Sequence, residues 1–87
     1  MKIKEGFMVR TVAGSNIVVP LGEKTVSFNG IMTLNETGCF LWKLLEQGAE
    51  RDALIRAMTE EYDVTEQVAA ADIDTFLNKL EEAGLAE

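Results

Sequence analysis

Eighty-seven residues, 47% of them hydrophobic and 26% charged, predict one small domain over residues 1–87 and leave no room for a second. The mixture is too apolar for a disordered chain, and no run of residues nears the ~20 apolar positions of a membrane-spanning helix. Fifteen acidic side chains against eight basic ones give a net charge of −7, which works against nucleic-acid binding, because that affinity comes largely from Lys and Arg neutralising phosphates.

The first third of the chain reads as strands. Phe7-Met8-Val9-Arg10-Thr11-Val12 is rich in β-branched and apolar residues and runs into Ala13-Gly14-Ser15-Asn16, a turn cluster. Ile17-Val18-Val19 is a short apolar run that stops at Pro20, where the missing N–H ends a ladder or marks a sheet edge. Leu21-Gly22-Glu23-Lys24 reads as a turn or bulge, and Thr25-Val26-Ser27-Phe28 alternates apolar with polar. Asn29-Gly30 is a hairpin signal, since a type I′ turn needs positive φ at both central residues, and Ile31-Met32-Thr33-Leu34 is its return strand.

Three helices follow. Asn35 is a good N-cap, with Glu36 adding negative charge to the first turn. Leu41, Leu44 and Leu45 share a face, Phe40 and Trp42 flank it, and Gly48 fits the position just past the helix end. Leu54, Ile55, Met58 and Tyr62 form the stripe of a second amphipathic helix. Asp63-Val64-Thr65 breaks it, and either Asp63 with Glu66 or Thr65 itself caps a third. That helix carries Ala69, Ile73, Phe76, Leu77 and Leu80 on one face, ends at Gly84, and folds Leu85 back as a hydrophobic contact. Strands first and helices after imply an α+β fold, a small N-terminal antiparallel sheet of about three strands with three helices. This is a winged-helix-like layout with the sheet leading.

The chemistry-bearing residues are sparse. The chain has no His and a single Cys, Cys39, which excludes a Ser–His–Asp triad, an internal disulfide and the usual zinc sites, and favours a reducing compartment. Cys39 sits in the first turn of an amphipathic helix and reads as a small packed residue. Glu60, Glu61, Asp63 and Glu66 read as a solvated acidic surface, and Asp72 and Asp74, two apart on a helix, do not face each other. The glycines match neither a dinucleotide-binding fingerprint nor a phosphate-binding loop. No catalytic residue, metal site or cofactor is expected, and the N-terminus lacks a signal-peptide pattern, so the cytoplasm is the expected location.

A binding module is the better class. A sheet edge can accept an extended peptide as an added strand. The third helix offers a mixed border beside its core stripe, with Phe76 and Ala83 on one side and Val68, Asp72 and Lys79 further round.

Leu34-Asn35-Glu36-Thr37-Gly38, followed by Trp42 and Leu44-Leu45, resembles the PqqD family. The resemblance continues, collinear, through Glu61-Tyr62-Asp63-Val64, Ala71-Asp72-Ile73, Phe76-Leu77, Leu80 and Ala83-Gly84-Leu85, while Leu21–Gly30 departs from the compact pattern as an added segment. What the resemblance implies is a recognition element for ribosomally made, later modified peptides. Such modules have a three-stranded sheet and three helices, and the leader of a precursor peptide adds to the edge of the third strand and packs on the third helix. The namesake member is a peptide chaperone of pyrroloquinoline quinone biosynthesis, presenting the precursor to a radical S-adenosylmethionine enzyme. Transferred to this chain, the third strand corresponds to Ile31–Leu34, extended by Val26–Asn29. The expected peptide-binding residues are then Val26, Phe28, Ile31, Met32 and Thr33 on the strand side, with Asp72, Phe76, Lys79 and Ala83 on the helix side. The expected partners are a leader peptide and a radical S-adenosylmethionine or other peptide-modifying enzyme, with no nucleic acid and no membrane, the domain acting as monomer or homodimer. The competing readings are a structural or dimerisation module and a winged-helix transcription regulator.

Overall fold

The computed structural model describes residues 3–21 and 32–86. Its chain begins with a hairpin of β1 (Phe7–Val12) and β2 (Ser15–Pro20), paired from Val12↔Ser15 to Phe7↔Pro20. The turn is just Ala13-Gly14, both with positive φ (52° and 80°), the geometry of a two-residue type I′ connection. Two left-handed residues suffice to reverse the chain. Ser15 and Asn16, read from sequence as turn, are therefore released into β2, where Thr11 Oγ1 donates to Asn16 Oδ1 at 2.8 Å across the ladder. Ala13 carries a Cβ in a conformation that costs an L-residue about 1–2 kcal/mol. The sequence signal at Asn29-Gly30, with Val26, Phe28 and Ile31, lies outside the described residues.

β3 (Met32–Leu34) pairs antiparallel with β2 through Asn16↔Leu34, Ile17↔Thr33 and Val18↔Met32, giving sheet order β1-β2-β3. The period of two sends Phe7, Val9, Val18, Met32 and Leu34 to one face, against the helices.

Among the described residues the helices are α1 (Glu36–Glu46), α2 (Arg51–Glu61) and α3 (Glu66–Glu82). Asn35 caps α1, its side chain accepting from the Gly38 N–H at 2.7 Å. Thr65 is the residue that caps α3, accepting from the Val68 N–H at 3.2 Å. α1 and α3 end alike. Gly48 and Gly84 take positive φ, and the next residue's N–H reaches back to Leu44 and Leu80 respectively, satisfying a terminal carbonyl. The second of these turns drives Leu85 into the core at 0% exposure.

The core joins Val18 and Leu34 of the sheet to Leu41, Trp42 and Leu45 of α1, Leu54 and Met58 of α2, and Ala69, Ile73, Phe76, Leu77 and Leu80 of α3. Trp42, read from sequence as flanking, is the largest fully buried side chain, and Leu44 is only half-buried. An eleven-residue helix pressed between a sheet and other helices buries a face wide enough to take both Leu41 and its neighbour. Each such large side chain contributes about 1.5–3 kcal/mol by leaving water. Ile3 pairs with Ala86, and the Lys4 N–H donates to the Leu85 carbonyl at 2.9 Å, which ties the two ends of the described chain together. Arg51 and Asp74 form a two-pronged ion pair at 2.8 and 3.0 Å that links the start of α2 to α3. Among the described residues no helix is long and apolar enough to cross a membrane.

Candidate functional site

Each of the three described residues of β3 has its own task. Leu34 is buried in the core and Met32 is half-buried on the same face, so the strand is pinned by its alternate residues. Thr33 is exposed. In an antiparallel ladder, residues alternate between exchanging both backbone bonds with a partner and pointing both groups away. The two-residue turn makes Val12↔Ser15 a hydrogen-bonded pair, so Asn16 and Val18 face β3 and bond Leu34 and Met32. Thr33 then turns its N–H and C=O outward, to the side of the sheet opposite β2. Among the described residues no strand lies beyond β3.

The chain passes from β3 into α1 with only Asn35 between, so the cap that starts the helix also fixes the angle between strand and helix. Gly38 follows in the first turn, and α3 comes close to it. A Cβ there would sit 3.1 Å from Asn35 Oδ1 and 3.3 Å from the edge of the Phe76 ring. The absent side chain is what lets Phe76 lie against the β3–α1 junction. Phe76 is 9% exposed, so it is core on one side and floor of an opening on the other.

That opening is a groove of about 510 Å³ between β3, the first turn of α1 and α3. Met32, Thr33, Leu34 and Asn35 line it from the β3 side, Thr37, Gly38 and Leu41 from α1, and Asp72, Thr75, Phe76 and Lys79 from α3. The last four are spaced i, i+3, i+4 and i+7, one stripe of α3. Thr75 spends its hydroxyl hydrogen on the Ala71 carbonyl at 3.0 Å, leaving its methyl and oxygen to the groove. The walls are thus an apolar floor, one outward backbone pair at Thr33, and a single charge of each sign.

Of the residues expected from sequence, the structure brings Met32, Thr33, Asp72, Phe76 and Lys79 together in this groove. Ala83 is the exposed C-cap of α3, outside the lining, because the helix has already ended there. Val26, Phe28 and Ile31 lie outside the described residues. Sequence reasoning missed Thr75 as a lining residue, although its spacing from Asp72 and Lys79 places it on their stripe. It also missed Leu34, Asn35, Thr37 and Leu41, for which only the fold supplies the signal. Cys39 is half-buried beside Gly38 and does not line the groove. Among the described residues no cluster of three His, Cys, Asp or Glu side chains is placed to hold a metal ion.

The family model described as coenzyme PQQ synthesis protein D (PqqD) matches residues 17–86. No curated protein matches the chain. Two solved structures share the fold. One is TbiB1 in complex with the TbiA(beta) leader peptide, at TM-score 0.81 and 24% identity, covering 100% of this chain and 95% of that one. The other is lasso peptide synthetase B1 complexed with the leader peptide, at TM-score 0.79 and 21% identity, covering 99% of this chain and 95% of that one.

Proposed function

The chain belongs to the PqqD family, and from that premise we propose that it captures the leader of a ribosomally made precursor peptide and presents it to a modifying enzyme, such as a radical S-adenosylmethionine enzyme. We read it as non-catalytic and cytoplasmic. The observation that carries the reading is the coincidence of the outward backbone pair of Thr33 with an apolar-floored groove along α3. Both similar structures are of proteins in complex with leader peptides.

The mechanism is strand addition. An extended peptide beside β3 gains backbone hydrogen bonds whatever its sequence, and its alternate side chains drop into the groove, where Phe76 and Leu34 offer apolar surface. The first interaction supplies affinity and the second selectivity. A peptide held this way is extended and anchored at one end, leaving its other end free for an enzyme.

The test is a titration of a fluorescently labelled leader peptide, from a candidate cognate precursor, into the protein and into two variants. Thr33→Ala keeps the backbone N–H and binds like the parent. Thr33→Pro deletes an outward N–H without removing a bond to β2, a position where a strand tolerates proline, and weakens binding about tenfold, the worth of a single hydrogen bond. Absence of saturable binding to the parent overturns the reading, and so does a Thr33→Pro variant that is folded by circular dichroism and binds undiminished.

A further inference from the structure

The groove wall on α3 carries two charges, Asp72 and Lys79, and among the described residues neither is in an ion pair. Their neighbour Asp74, pointing elsewhere on the same helix, is paired to Arg51. Lys79 is also the sole basic side chain of α3, in a helix that otherwise carries Glu66, Asp72, Asp74, Glu81 and Glu82. Two uncompensated charges of opposite sign, facing the same groove on either side of Phe76, are an electrostatic direction marker.

Resting on the peptide-capture reading above, we infer that, for a peptide added antiparallel to β3, Asp72 and Lys79 set the residue order the groove accepts, selecting a segment with a basic residue, an apolar anchor and an acidic residue in that order along the groove. The spacing supports this pattern. Seven helical residues at about 1.5 Å each put the two charges about 10 Å apart along α3. Same-face residues of an extended peptide recur every ~6.7 Å, so an apolar residue over Phe76 leaves its second neighbours on each side within side-chain reach of Asp72 and Lys79. The sequence read is basic-x-apolar-x-acidic. For a chain running antiparallel to β3, the backbone bonds at Thr33 are the same in either residue order, whereas the charge pair favours one, since the other sets like charges together.

The experiment is selection from a displayed library of random twelve-residue peptides against the parent and against the double variant Asp72→Lys/Lys79→Asp. The parent is expected to enrich peptides with a basic and an acidic residue flanking an apolar one at spacings of two, in one order, and the double variant the opposite order. Synthetic peptides of the two orders then differ about fivefold in affinity for the parent at low salt, the size expected of exposed ion pairs, with the preference inverted in the variant and flattened by added salt. Enrichment of apolar peptides with no charge order, or the same order for both proteins, overturns the inference and leaves peptide capture standing. Failure of the parent to enrich any peptide over a scrambled control overturns both.

Discussion

Gly38 controls how near α3 can come to the β3–α1 junction. The 3.3 Å separation between its would-be Cβ and the Phe76 ring is tighter than ordinary contact, and Asn35 Oδ1 closes the other side at 3.1 Å. Gly38→Ala therefore forces Phe76 or the cap to shift, and overpacking of this kind costs about 1–3 kcal/mol. The cost should be read by chemical denaturation together with Phe76→Leu and the double variant. If the clash is with Phe76, the double variant is less destabilised than the sum of the singles. Strict additivity places the strain at the Asn35 cap instead. At this scale much was legible from the sequence. Asn35 as cap and Leu85 as a folded-back lock each follow from local chemistry at a helix end. Trp42 was not, because which helical residues are buried depends on what packs around them. Ala13 was not singled out either, since its left-handed backbone is imposed by the two strands it joins.

Among the elements, the helices were the more legible, for each carries its own start and stop signals and an apolar stripe. The sheet was less so, because a strand's partner is set by residues distant in sequence, and the turn between β1 and β2 proved tighter than its composition suggests. The link between α2 and α3 shows the same limit. Arg51 and Asp74 stand 23 residues apart and nothing local pairs them. The Arg51 guanidinium, hydrogen-bonded to Asp74 and attracting it, holds that carboxyl below its ordinary value of 3.8 against the opposing effect of desolvation. A carboxyl depressed in the folded state contributes stability that is present above its unfolded pKa and lost as pH falls through its folded one. Asp74→Asn should thus lower the melting temperature slightly at about pH 7, the pair being solvent-exposed. The gap from the parent should narrow as pH falls below the ordinary carboxyl range and close once Asp74 is protonated in the folded state, when both chains carry an uncharged side chain at this position. A gap that persists in strong acid assigns the effect to something other than the ion pair.

For the whole molecule, charge separates the two layers. Residues 1–34 carry four basic and two acidic side chains, and residues 35–87 carry four basic and thirteen acidic ones. The helical half thus presents a negative field, which opposes a nucleic-acid-binding helix on α3 and leaves the groove, with one charge of each sign, as a locally balanced strip between the layers. The fold class and the strand-then-helix order were legible from the chain because they follow from the switch in hydrophobic period. The groove was legible only in outline, as a strand edge beside a helix border, since its base is made by the β3–α1 junction and by a residue with no side chain.

The central claim is that a peptide adds to the sheet at β3, and the Thr33 amide reports on it most directly. Hydrogen exchange at that amide can be followed by nuclear magnetic resonance with and without a saturating leader peptide. The account predicts fast exchange in the free protein, because among the described residues the Thr33 N–H has no strand partner, and a slowing of at least about tenfold on binding as a ladder bond forms. A leader that binds, protecting amides elsewhere while Thr33 exchanges as fast as before, would contradict it.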